Sequence, residues 1–127
     1  MFKTYRSILG TGAVLMALAL ALGAFGAHGL EVFLAENGRT ATFETAVKYH
    51  FYHALGIIMM GVLSKMEMKG VHISASLLFS GILIFSGSLY ILCLSGIGIL
   101  GAITPIGGLL LIAGWIHFAW IAIKAKV

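Results

Sequence analysis

Ser7 to Gly29 reads SILGTGAVLMALALALGAFGAHG, an apolar run with no Asp, Glu, Lys or Arg in it. At 1.5 Å of rise per residue such a run crosses the roughly 30 Å hydrocarbon core of a bilayer as one helix. Lys3 and Arg6 stand just before it. A cleaved secretory leader is the competing reading, with Ala24 and Gly26 as its small residues, but leader cores span about 7 to 15 residues and this run is longer. The remainder of the chain agrees with a membrane span. Of 127 residues, 61% are hydrophobic and 9% charged, where a soluble domain carries roughly 25% charged residues. That leaves too little polar surface to coat a particle in water.

Three further apolar stretches follow, so the chain is expected to be a single transmembrane domain, an all-α integral membrane four-helix bundle with spans at 7–29, 46–64, 73–94 and 105–123. Residues 30–45 form an outer interfacial loop. Glu31, Glu36, Asn37, Gly38 and Arg39 lower the hydropathy there, while Leu30, Phe33 and Leu34 are spaced to rest on one side of a short helical turn. Asn37-Gly38 supplies a turn, and Thr40 caps the helix that opens the second segment. Glu44 and Lys48 fall at the i,i+4 spacing, and in the order, that favours pairing on that helix. The link at 95–103, with Gly96, Gly98 and Gly101, is too glycine-rich for helix. Thr104-Pro105 then starts the fourth segment, because the N–H that proline lacks is unpaired at a first helical position.

Lysine and arginine set the orientation. Lys3, Arg6, Lys65, Lys69, Lys124 and Lys126 fall on one side of the alternating spans, and Arg39 and Lys48 on the other. Six against two puts both termini in the cytoplasm. Tyr5 and Trp120 near the inner boundary, with Tyr49, Tyr52 and Tyr90 near the outer one, agree with the interfacial preference of aromatics. The inner-face lysines are expected to draw anionic lipid headgroups.

Inside lipid, helices associate by close backbone approach rather than by hydrophobicity. Ala17, Ala21, Ala24 and His28 form one stripe on the first segment, and Gly26, Gly87, Gly107 and Gly108 offer further notches. So small a chain has little interior of its own, which points to a homo-oligomer or a membrane partner protein. Scattered basic residues do not support nucleic-acid binding. A lone Cys93 excludes an internal disulfide and a CxxC site, and reads as a small buried hydrophobe.

Ionisable groups immersed in hydrocarbon are functional suspects by default. Rise arithmetic places His53 about 18 Å and His50 about 22 Å above Lys65, and His117 about 10 Å above Lys124. The i,i+3 spacing puts His50 and His53 on one face, near enough to share a ligand or a proton path. His28, Glu44, Lys48 and Tyr49 extend this candidate polar site toward the outside. Three readings stand: neutral histidines bonded to carbonyls and hydroxyls of neighbouring helices, a metal or haem site on His28, His50 and His53, or a proton or small-solute pathway. The sequence requires no cofactor. All four Glu residues lie in loops or near helix ends, which argues against carboxylate-driven antiport. No nucleophile and base stand at a meaningful sequence spacing, so an enzyme has weak support.

The runs Gly23-Ala24-Phe25-Gly26-Ala27-His28-Gly29-Leu30, Thr45-Ala46-Val47-Lys48-Tyr49-His50 and His53-Ala54-Leu55 resemble the family called domain of unknown function 423. The pattern resumes at Gly81, at Phe85-Ser86-Gly87-Ser88-Leu89-Tyr90 and at Thr104-Pro105-Ile106-Gly107-Gly108. The resemblance implies a four-helix integral protein of bacterial plasma membranes and carries no established substrate or catalytic residues. It includes the His28 and Tyr49 to His53 regions in the family pattern. The chain is thus expected to be a non-enzymatic membrane or complex-associated module, with an outward-facing histidine-based ligand, metal, haem or proton site as the alternative.

Overall fold

A computed structural model describes residues 2–124, so Lys126, counted above on the inner side, lies outside the described residues. The chain forms α1 (Tyr5–Ala27), α2 (Glu31–Glu36), α3 (Thr40–Lys65), α4 (Val71–Ser95) and α5 (Leu100–Lys124). Three of these, α1, α4 and α5, are long and apolar enough to cross a membrane. α3 is as long, but Lys48, Tyr49, His50, Tyr52 and His53 dilute its apolar side chains.

Local chemistry sets the ends. Thr4 and Ser7 cap α1 reciprocally, the Ser7 N–H donating to Thr4 Oγ1 at 3.2 Å and the Thr4 N–H to Ser7 Oγ at 3.4 Å. α2 is the short helix expected within 30–45, and it buries Leu34 while Phe33 stays exposed. Gly38, at φ +62°, turns the chain into α3. Thr40 is not the cap of α3. Arg39 occupies that position without a side-chain bond, because its carbonyl already accepts the Phe43 N–H at 2.9 Å. Gly70 and Gly96, both left-handed, bracket α4.

The start of α5 also differs from the expectation. The helix begins at Leu100, so Thr104 does not cap it and Pro105 lies inside it. Proline there leaves the Gly101 carbonyl without its i+4 donor. The Thr104 hydroxyl supports the same turn, donating to the Leu100 carbonyl at 3.1 Å, and local side-chain bonds of this kind let membrane helices carry proline.

α1 packs on α3, α3 on α4 and α4 on α5, each pair antiparallel. α3 and α4 are the inner pair and carry most of the buried residues, while α1 and α5 flank them. Ile57, Met60, Ala75, Leu78 and Leu111 form the core with Ile8 and Leu15. Two crossings are set by glycine. A Cβ on Gly12 would meet Ile58 Cγ1 at 2.7 Å, and one on Gly107 would strike the Phe85 backbone, so these positions bring α1 onto α3 and α5 onto α4 at backbone distance. The expected stripe Ala17, Ala21 and Ala24 is exposed; the packed face of α1 is Ile8, Gly12, Leu15 and Ala19. Gly26 lies against the Phe43 ring and Gly108 near Phe85, whereas Gly87 borders open space.

Lys3, Arg6, Lys65, Lys69 and Lys124 gather at the end where α1 and α4 begin and α3 and α5 finish. Arg39, Glu31, Glu36, Glu44 and Lys48 occupy the opposite end.

Candidate functional site

Tertiary packing divides the polar residues of the sequence into two groups. Glu44 and Lys48 are exposed on α3 and make no ion pair with each other among the described residues, since water competes for two charges on an open helix face. Both line a groove of about 740 Å³ between α1, α2 and α3, walled by Gly23, Ala27, Phe43, Val47 and Phe51. The groove opens where the α1–α3 crossing at Gly12 gives way to the Phe43 ring and to α2, and Glu31 joins the polar rim.

The histidines lie elsewhere. His28 is exposed at the C-terminal cap of α1. His50 is 4% exposed; its Nδ1 is 3.2 Å from the Tyr90 hydroxyl on α4. Its Nε2 has no hydrogen-bond partner among the described residues. His53, also buried, donates from Nδ1 to the Tyr49 carbonyl of its own helix at 2.6 Å. That bond directs Nε2 as the free acceptor. The His53 ring stacks on Tyr49, which leans on Phe85, and faces Trp115 of α5. His50 and His53 therefore share a buried side of α3 but engage different partners. Among the described residues no three His, Cys, Asp or Glu side chains converge as a metal-holding group.

Four pairings invisible to spacing along the chain emerge at the α4 contacts. Tyr90, expected at the outer boundary, is the partner of His50. Ser74 Oγ lies 2.8 Å from His117 Nδ1 of α5, and Ser88 Oγ 2.7 Å from Thr104 Oγ1. The Ser86 hydroxyl donates to the Ala46 carbonyl of α3 at 2.8 Å. Ser74 joins a hydroxyl to an imidazole as a nucleophile and base would be joined, yet it is wholly buried. In that position it closes α4 on α5. The hint in the sequence was the recurrence of serine through an apolar helix, at 74, 76, 80, 86 and 88.

Known proteins add the family. A model described as Protein of unknown function (DUF423) matches residues 22–108. The UPF0382 membrane protein of Staphylococcus haemolyticus (strain JCSC1435) is 52% identical over 105 residues, 83% of this chain and 85% of that protein. UPF0382 membrane protein YwdK of Bacillus subtilis (strain 168) is 47% identical over 115 residues, 89% of this chain and 93% of that protein. No solved structure matches the chain. The chain belongs to the DUF423 family and is a membrane protein with helical transmembrane segments.

Proposed function

We propose that this DUF423 member is a non-enzymatic, four-span module of the bacterial plasma membrane, with both ends cytoplasmic and a second copy or another membrane protein as its partner. The observation that carries the topology is the separation of charge. Five described Lys and Arg residues share one end of the helices and two the other, and cytoplasmic loops are the ones that accumulate such residues. α3 serves as the fourth span because its two most immersed polar groups, His50 and His53, are buried against protein, which spares them contact with acyl chains. The buried hydroxyl–imidazole contacts act as helix clasps, and this supports a structural rather than a catalytic use of the histidines.

Single cysteines in a Cys93→Ala background test the topology. With a membrane-impermeant maleimide on spheroplasts, Asn37→Cys and Ile97→Cys are expected to label directly, and Lys3→Cys and Lys69→Cys only after permeabilisation. Direct labelling at Lys3→Cys, or ends on opposite faces, would overturn the reading.

The groove favours a second reading, a small-ligand site facing outside. Its polar contacts would come from Glu44 and Lys48, which line it, and not from His28, His50 or His53, which do not. Metal analysis and an optical spectrum of the purified protein address the separate metal or haem reading on the histidines, and bound metal or a Soret band would favour that reading over the helix clasps.

A further inference from the structure

We infer that the cation-rich ends of α4 and α5 form a seat for the headgroup of an anionic phospholipid. A cavity of about 830 Å³ opens there, and Lys69 from the α3–α4 turn and Lys124 from the last turn of α5 both line it. These two ammonium groups come from elements far apart in sequence and are joined only by the packing of α4 on α5. Lys124 Nζ stands 4.2 Å from the centroid of the Trp120 ring. The indole thus holds the cation at the level where tryptophan marks a membrane boundary. His117 also lines the cavity, its Nδ1 engaged by Ser74 and its ring edge beside Gly70. Glu67 is the carboxylate in the lining, on a residue held at φ +63°. Among the described lining residues two lysines stand against one carboxylate, which makes the mouth positive, and a lipid phosphodiester complements it. Basic pockets between spans recognise anionic headgroups by this electrostatics.

The seat depends on α4 and α5 crossing the bilayer, not on which side the chain ends face, so reversed maleimide labelling leaves it standing. Native mass spectrometry of the full chain in detergent, titrated with phosphatidylglycerol or with phosphatidylcholine of the same acyl chains, tests it. Phosphatidylglycerol is expected to bind the more tightly. Lys69→Gln and Lys124→Gln should each weaken it about fivefold and leave phosphatidylcholine unchanged. Glu67→Gln should act in the opposite direction and tighten phosphatidylglycerol, a gain that no loss of folding can mimic. Equal binding of the two lipids overturns the assignment. So does a loss on Lys3→Gln as large as that on Lys69→Gln, or displacement of the lipid by inorganic phosphate.

Discussion

His50 Nδ1 on α3 and the Tyr90 hydroxyl on α4 stand 3.2 Å apart inside a helix pair that has almost no other polar side-chain contact across it. Nε2 makes no hydrogen bond among the described residues, so the bond to Tyr90 offsets part of the cost of burying the imidazole.

Tyr90→Phe keeps the ring packed on Phe43 at 5.3 Å between centroids and removes only the hydroxyl. It should cost about 0.6 to 1.7 kcal/mol, the range of polar contacts between membrane helices. Unfolding in mixed micelles measures it. In a His50→Leu background the same change should cost nearly nothing, and equal costs in both backgrounds would show that the two groups are uncoupled.

His53 behaves differently, because its bond returns to the Tyr49 carbonyl of its own helix. His53→Leu is expected to lose less than about 1.5 kcal/mol, since leucine keeps apolar contact with Trp115 and leaves no hydrogen-bonding group on another helix unpaired. A larger loss than that of His50→Leu would reverse the ranking.

Gly107→Ala places a methyl group on the Phe85 backbone, which cannot swing aside as a side chain would. Destabilisation of about 1 to 3 kcal/mol is expected. Gly87→Ala, on the same helix pair but facing open space, should be neutral or stabilising by up to about 1 kcal/mol through helix propensity. Thermal unfolding of the two variants side by side separates close packing from mere glycine content.

Ser74→Ala strips His117 Nδ1 of its partner 2.8 Å away. The expected loss is about 0.6 kcal/mol or somewhat more, with helical content unchanged by circular dichroism. A variant as stable as the parent would mean that van der Waals contact alone holds this end of α4 on α5.

Cys93 is 2% exposed, with its Sγ 3.8 Å from the Arg39 carbonyl. Maleimide should modify it only after denaturation, followed by intact mass. Rapid modification of the folded protein would place α4 in a different rotation about its axis.

Much of the helical layout was legible because it rests on quantities that need no partner. An uncharged run such as 7–29 is long enough to span lipid whatever it touches, and Gly38 and Gly96 mark helix boundaries through their own backbone freedom. The start of α5 was misread at Thr104-Pro105 because proline strongly favours a first helical position, while the glycines before it hid the extra turn from Leu100. Thr40 failed as a cap for a similar local reason, since the carbonyl of Arg39 opens the helix one residue earlier.

The candidate site was read less well. Depth arithmetic located His50 and His53 inside the helices, but it carries no rotation about the axis. It could not tell that Glu44 and Lys48 border a groove from which both imidazoles turn away.

Composition and the order of charges by themselves determined the solvent of this protein, the length of its helices and which helix ends share a face. Tertiary structure alone decided that Gly12 and Ala19, and not Ala17 and Ala21, meet α3, and that His50 finds Tyr90. The reason is that helices apolar all round carry no amphipathic stripe to mark an inner face. In lipid that face is chosen by how closely two backbones can approach, a property of pairs of surfaces that no single segment contains.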